Sequence, residues 1–147
     1  MAADSPQFTL TLPSDARMLS VVRCFVEAVC QTFPLDRSIV HAIVVATGEA
    51  VTNVVRHAHN NRPDAQMQIQ CQIRDNAIEI QILDEGEPFD LTAVPELDPA
   101  ELRVGGRGVF LMRALMDELS CQPRGERGNA LRMVKRYGPQ SFIRECG

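Results

Sequence analysis

The sequence lacks an uninterrupted apolar stretch of about 18 residues, so it predicts no membrane-spanning helix. It also lacks an excess of positive charge. The formal net charge of -4 at pH 7 argues against non-specific binding to nucleic acid and against attraction to an anionic membrane. The first residues have neither the basic nor the apolar segment of a signal peptide, and we therefore expect a cytoplasmic protein.

The cysteines form no recognisable metal or redox motif. There are five of them, an odd number, and no two are spaced as CxxC. Most lie in apolar runs, so we interpret them as small buried hydrophobic residues. Cys146, next to the last residue of the sequence, is the one expected to be exposed and oxidisable.

Length and composition are typical of one globular domain. The chain has 147 residues, of which 45% are hydrophobic and 23% charged. No internal repeat or low-complexity tract is visible. We predict a single domain over residues 1–147, with its core between about residues 8 and 136.

The first third of the chain predicts a strand and two helices. Apolar and polar residues alternate around Phe8–Leu12, as in a half-buried strand. A helix follows, with Ser14 as its expected N-cap. A second and longer helix is predicted over 36–59. The inner faces of the two helices are expected to include Met18, Val21, Val22, Phe25, Val26 and Val29, and then Ile39, Ala42, Ile43, Ala46, Ala50 and Val54.

The rest of the chain predicts a sheet interrupted by one helix. Met67–Ile73 and Ile78–Ile82 alternate in polarity on either side of an Asp75-Asn76 turn, which indicates a hairpin with one solvated face. The alternation of polar and apolar residues ends after Asp84, and we interpret residues 87–107 as a lid. A third helix is expected over 108–117 and two strands near 118–122 and 129–136. The sum is an α+β two-layer sandwich, a mostly antiparallel sheet with three helices on one face.

Four segments carry polar residues where an ordinary fold has no need of them. Glu49, Asn53 and His57 are spaced by four, so they stack on one side of the second helix. Asp84 and Gly86 directly follow a strand. The run 105–108 places glycines and an arginine at a helix start, where free N–H groups and the helix dipole favour phosphate. The fourth segment, 125–131, forms a turn into the last strand.

Taken in order, these segments resemble the four-box ATP site of the GHKL superfamily. The matching residues are Glu49-Ala50-Val51-Thr52-Asn53 with Arg56-His57-Ala58, then 84–90 (DEGEPFD), then 106–112 (GRGVFLM) with Leu115-Met116-Asp117. Within the superfamily these motifs are most similar to those of the bacterial anti-sigma-factor serine/threonine kinases, and the resemblance covers about residues 8–136. One departure is Gly128-Asn129, where the last box usually has Gly-Thr.

The resemblance implies a role for each matched residue. Glu49 would orient or deprotonate the hydroxyl nucleophile, and Asn53 would offer an oxygen to Mg²⁺. Asp84 would accept a hydrogen bond from the adenine amino group, with Gly86 beneath the base. We expect His57 to make a structural hydrogen bond. The implied ATP-binding residues are Asn53, Arg56, Asp84, Gly86, Gly106, Arg107, Gly108, Val109 and Asn129.

The function implied is a protein kinase that uses ATP and Mg²⁺. Its substrate would be a serine or threonine of a STAS-domain anti-anti-sigma protein, and the kinase would hold a sigma factor and form a homodimer. Two alternatives remain open. One is the catalytic domain of a histidine kinase, although the helix before the nucleotide-site helix contains no histidine. The other is a nucleotide-responsive binding module without kinase activity, for which Glu49 would be superfluous.

Overall fold

The computed structural model describes residues 5–59, 62, 64–93 and 107–138. Its strands are β1 (Gln7–Pro13), β2 (Gln66–Ile73), β3 (Ala77–Leu83), β4 (Glu118–Pro123) and β5 (Asn129–Arg136). They form one antiparallel sheet in the order β1-β2-β3-β5-β4. The helices α1 (Leu19–Cys30), α2 (Arg37–Asn53) and α3 (Arg107–Leu115) share a single hydrophobic core with it. The predicted α+β sandwich is therefore confirmed.

Strand register explains why the core lies on one side of the sheet. Residues directly opposite each other in antiparallel strands point to the same face. One row across all five strands is apolar: Phe8, Cys71, Ile80, Met133 and Leu119. The adjacent row points the other way and is polar: Thr9, Gln70, Gln81, Arg132 and Ser120. The helices cover the apolar face, and the polar face is the solvated one that the alternation predicted.

Helix α2 changes its winding at Asn53. From Val54 to Ala58 the chain continues as a π-helical turn, in which the His59 N–H donates to Val54 O at 2.9 Å. The prediction of one helix over 36–59 holds apart from this turn. π-turns are rare and occur often at functional sites. Here the turn ends with His59 fully buried, behind the candidate site described below.

The start of α1 differs from the prediction. A short 3₁₀ turn, Ala16–Met18, precedes the helix, and its cap is Asp15, whose carboxylate accepts a hydrogen bond from the Arg17 N–H. Ser14 is buried instead, and its hydroxyl has no hydrogen-bond partner among the described residues. Val21, expected on the inner face, is 44% exposed because the helix turns Val22 inwards.

The cysteines fall into two groups. Cys30 and Cys71 are buried as predicted, and burial raises the pKa of their thiols to about 11 and about 12. Cys24 is exposed, contrary to the prediction, because it lies on the outer side of α1. Cys121 is half-buried, and burial raises its pKa to about 11. Cys146 lies outside the described residues.

Two further predictions need qualification. The helical stretch Arg37–Ala58 is long and apolar enough to span a membrane by length and composition, but half of its most apolar window is buried in this fold. A core helix passes the same test, and α2 packs against both α1 and α3. Residues 94–106 of the predicted lid, Gly106 among them, lie outside the described residues.

Candidate active site

A cavity of about 350 Å³ opens where α2, α3 and the carboxyl end of β3 meet. Its walls are mainly apolar, with Val54, Phe89, Val109, Met112, Cys121 and Leu131 among them. A few polar side chains interrupt these walls: Asn53, His57, Asp84, Glu87 and Asn129. An apolar cleft with a few fixed polar groups is the usual form of a small-molecule site.

Asp84 is held in a single orientation at the end of β3. Its side chain is 4% exposed, and Oδ1 accepts hydrogen bonds from Gly86 N, Asn129 N and Asn129 Nδ2 at 2.9, 3.1 and 3.0 Å. Oδ2 accepts none from the described residues. Because Asp84 lines the cavity, this oxygen is suited to accept a hydrogen bond from an amino group of a ligand.

Asn129, which the resemblance implies as an ATP-binding residue, lies beside Asp84, but its amide bonds other groups of the protein. Nδ2 donates to Glu87 O at 2.8 Å as well as to Asp84, and Oδ1 accepts from Phe89 N at 2.9 Å. Both donors of the amide are therefore occupied within the protein. A direct hydrogen bond from this amide to a base would require one of these bonds to break.

Gly86 is required for a reason other than the predicted one. A Cβ here would lie 2.1 Å from Ala58 O, so only glycine lets the loop pack against the end of the π-turn. Glu87 N donates to the same oxygen at 3.2 Å, and Gly86 O accepts from Gly128 N at 2.8 Å. Gly86 does not line the cavity; it supports the loop that does.

Glu49 and Asn53 lie together at the start of α3. A Cβ at Gly108 would be 3.2 Å from Glu49 Oε2 and 3.3 Å from Asn53 Oδ1. Both side chains are half-buried, and neither forms a hydrogen bond to another described residue. The i, i+4 spacing thus places a carboxylate and an amide side by side, facing the glycine of the third segment.

Of the remaining predicted site residues, some line the cavity and others do not. Val109 is buried and lines the cavity. Arg107, the first residue of α3, and Arg56 are both exposed, and neither lines the cavity. His57 does line it, but its exposed side chain makes no hydrogen bond among the described residues, so the structural bond expected for it is not found there.

His59 is the residue that sequence reasoning missed. It is completely buried, and its Nε2 accepts the Glu85 N–H at 3.0 Å, next to Asp84. Burial is the main cause that lowers the pKa of its imidazole, which keeps the ring neutral and able to accept. The sequence placed His59 at the end of the predicted second helix. Its contact with Glu85 joins residues 26 positions apart and depends on the π-turn, so the helix pattern could not predict it.

A second cavity, of about 470 Å³, lies beside the first and is lined by polar side chains, including His59 and Arg124. Arg124 donates to Asp84 O at 2.9 Å, so this cavity adjoins the back of the same loop. Asp84 lines both cavities, and we assign the candidate site to the smaller one because it also has apolar walls and Asn53.

Comparison with known proteins agrees with this geometry. Residues 12–135 match the family model of the histidine kinase-like ATPase domain. The serine-protein kinase RsbW of Staphylococcus epidermidis is 32% identical in an alignment that covers 100% of this chain and 96% of that protein.

Two solved structures share the fold. The SiaB–SiaC complex from Pseudomonas aeruginosa aligns with a TM-score of 0.63 at 13% identity, covering 88% of this chain and 89% of the other. The RsbU and RsbW domains of a Mycobacterium tuberculosis protein align with a TM-score of 0.62 at 18% identity, covering 89% of this chain and 32% of that longer one. The chain thus belongs to the histidine kinase-like ATPase domain family, in the group of serine-protein kinases that includes RsbW.

Proposed function

We propose that this protein is an ATP-dependent serine kinase that acts on a partner protein. The observation that carries the proposal is the juxtaposition of Glu49 Oε2 and Asn53 Oδ1 around Gly108, next to a cavity that also contains Asp84. A binding module needs the amide and the glycine, but it has no use for a carboxylate at that place that is without a hydrogen-bond partner among the described residues. The relatives' name, serine-protein kinase, supports the same conclusion.

The cavity suits adenine in size and chemistry. The apolar side chains of Val109, Met112 and Leu131 offer flat contact to a base, and Asp84 Oδ2 accepts a hydrogen bond from its amino group. Burial of Asp84 strengthens that bond, because water does not compete for the carboxylate.

The start of α3 suits phosphate and magnesium. Gly108 presents a backbone without a side chain, and the helix dipole favours negative charge at this end. Arg107 and Arg56 are exposed cations within the same part of the molecule. Asn53 Oδ1, beside Gly108, would be a protein ligand of a Mg²⁺ ion whose other ligands are phosphate oxygens and water.

In the proposed reaction Glu49 acts on the substrate hydroxyl. Oε2 accepts its hydrogen bond, orients the oxygen and takes the proton as the nucleophile forms. When bound, ATP supplies the phosphoryl group and Mg²⁺ offsets its charge. Because Glu49 forms no hydrogen bond within the described residues, its carboxylate is free for this role.

We further propose that the substrate is a STAS-domain protein and that the kinase holds a sigma factor as its second partner. The similarity to RsbW and the shared fold with the SiaB–SiaC complex support a partner-switching role. A homodimer and a cytoplasmic location belong to the same proposal.

The test is a phosphorylation assay with Mg²⁺-ATP and the STAS proteins encoded in the same genome. We expect one of them to gain a phosphoserine, located by mass spectrometry. Glu49→Gln should lose this phosphorylation. Glu27→Gln, which removes an exposed carboxylate from α1, is the matched control and should keep it. Binding of ATP without any phosphoryl transfer by the wild type would favour the binding-module alternative.

A further inference from the structure

The Asn129 side chain joins two parts of the site that no other described side chain connects. It is 4% exposed, and its amide bonds the Asp84 carboxylate on one side and the backbone of Glu87 and Phe89 on the other. Three hydrogen bonds of 2.8 to 3.0 Å use both amide donors and the carbonyl oxygen. A buried amide so fully engaged is a structural clamp rather than a ligand group.

On its first side the clamp fixes the base-recognising carboxylate. Of the three hydrogen bonds to Asp84 Oδ1, two come from the backbone and side chain of Asn129. Rotation of the carboxylate would break all three bonds at once. The clamp therefore keeps Oδ2, the oxygen without a partner among the described residues, available to the cavity.

On its second side the clamp holds a wall of the cavity. Glu87, Pro88 and Phe89 all line the cavity and are exposed to solvent. Pro88 has no N–H to donate. Between them, the backbone groups of 87–89 make three hydrogen bonds within the described residues. One goes from Glu87 N to Ala58 O, and the other two are to Asn129.

We propose that Asn129 is a positioning residue that couples base recognition at Asp84 to the cavity wall 87–89, and that this coupling slows release of the nucleotide. The inference rests on the proposed ATP site. Movement of the wall away from a bound base would require the amide to give up Glu87 O and Phe89 N, and that would loosen Asp84 as well. A threonine at this position has a single hydroxyl, which cannot donate to Asp84 and Glu87 together.

The test compares Asn129→Thr with the wild type, first without nucleotide. Amide hydrogen exchange measured by NMR should be about 3- to 10-fold faster at Phe89, because the shorter threonine side chain lacks the amide oxygen that now accepts the Phe89 N–H. The Glu87 N–H bonds to Ala58 instead and serves as an internal control, with a smaller change. Gln70→Thr is the matched control, since it removes a half-buried amide from the outer face of the sheet.

The second measurement is stopped-flow release of the fluorescent analogue mant-ATP with Mg²⁺. Asn129→Thr should release it about 3- to 10-fold faster with little change in the association rate, whereas Gln70→Thr should behave as the wild type does. If the threonine variant does not fold, Asn129→Ser takes its place.

Unchanged exchange at Phe89 would overturn the clamp. Faster exchange with unchanged release would overturn the coupling while leaving the ATP site intact. If the wild type itself bound no mant-ATP, the proposed function would fail, and the coupling with it.

Discussion

The two ends of the cavity are built in opposite ways. At the end proposed to bind the base, here called the base end, Asp84 and Asn129 are each 4% exposed and joined to each other and to the backbone by hydrogen bonds. At the end proposed to bind the phosphates, here called the phosphate end, Glu49 and Asn53 are half-buried, and their side chains form no hydrogen bond to other described residues. The polar groups of the base end are paired within the protein. Those of the phosphate end have no hydrogen-bond partner among the described residues, so they are available to a ligand.

The difference fits the task proposed for each end. A base is recognised by fixed groups in a dry pocket, where a rigid acceptor loses little entropy on binding. A reacting end must interact with a metal ion, phosphates and an incoming hydroxyl, so its oxygens must not be used up by the protein. Substitutions at the two ends should therefore separate binding from catalysis.

The largest effect is expected at the phosphate end. Glu49→Ala should lower the rate of phosphoryl transfer by about 10²–10⁴-fold, because it removes the group proposed to orient and deprotonate the nucleophile. ATP affinity should change little, and it could rise slightly as repulsion between the carboxylate and the phosphates is lost. Single-turnover transfer to the STAS partner and calorimetric ATP titration measure the two quantities separately.

Asn53→Ala provides the contrast on the same helix. It should lose Mg²⁺-dependent binding and transfer together, since the proposed metal ligand is removed. Transfer at the wild-type rate by Glu49→Ala would show that Glu49 is not the catalytic carboxylate.

At the base end, Asp84→Asn should cost ATP affinity and leave the fold intact. The substituted amide can keep its oxygen at the Oδ1 position, where three hydrogen bonds hold it, and then presents its NH₂ group to the cavity. Two amino groups would face each other, and affinity should fall at least about tenfold. Titration with a non-hydrolysable ATP analogue tests this, and unchanged affinity would remove the adenine assignment.

Local patterns were enough to predict most of the scaffold. The alternation around Ile69 and Ile80 predicted the central hairpin and its solvated face, because a strand repeats every two residues and one face is apolar. The spacing of Glu49 and Asn53 placed them on one side of a helix for the same kind of reason. The structure confirms both, since neither depends on distant contacts.

Features that depend on distant contacts were not predictable in this way. The sequence gives no sign that Gly86 must be small because Ala58 O lies beside it, or that His59 reaches Glu85. Asn129 was visible only as a departure from a motif, and its hydrogen bonds to Asp84, Glu87 and Phe89 were not predictable. In each case the contact joins residues that are far apart in the sequence, so no local pattern predicts it.

The support of the base end can be tested through two glycines with nearly the same backbone conformation. Gly125 and Gly128 have φ of 91° and 95°, but a Cβ at Gly125 would meet nothing within 4 Å, whereas one at Gly128 would lie 2.5 Å from Asp84 O. Gly125→Ala should cost about 1–2 kcal/mol for the left-handed backbone alone. Gly128→Ala should cost at least about 1 kcal/mol more and weaken ATP binding, because Asp84 must shift.

Denaturant unfolding and ATP titration of both variants provide the comparison. Equal losses of stability would mean that the backbone near Asp84 yields without cost, and the base end would then be less rigid than its hydrogen bonds suggest.

The smallest effect concerns His59, which supports the base end from behind. Burial is the largest influence on its imidazole and lowers the pKa. The charges of Arg62 and Arg127 act in the same direction, and those of Asp84 and Glu85 oppose it. In the unfolded chain the ring has its ordinary pKa of about 6.5. Below that pH the unfolded state binds a proton that the folded state does not, until the lowered folded pKa is reached.

Stability from His59 is therefore complete above about pH 6.5 and is lost as the pH falls towards the folded pKa, with a slope of at most about 1.4 kcal/mol per pH unit. His59→Gln should flatten the dependence of the unfolding free energy on pH below about pH 6.5. Urea unfolding across that range measures the slope. Because His59 accepts the Glu85 N–H beside Asp84, ATP affinity in the wild type should fall only at still lower pH, where the imidazole of the folded protein itself takes up a proton, and it should fall less in His59→Gln. An identical slope in the two proteins would mean that another group governs the acid sensitivity of the base end.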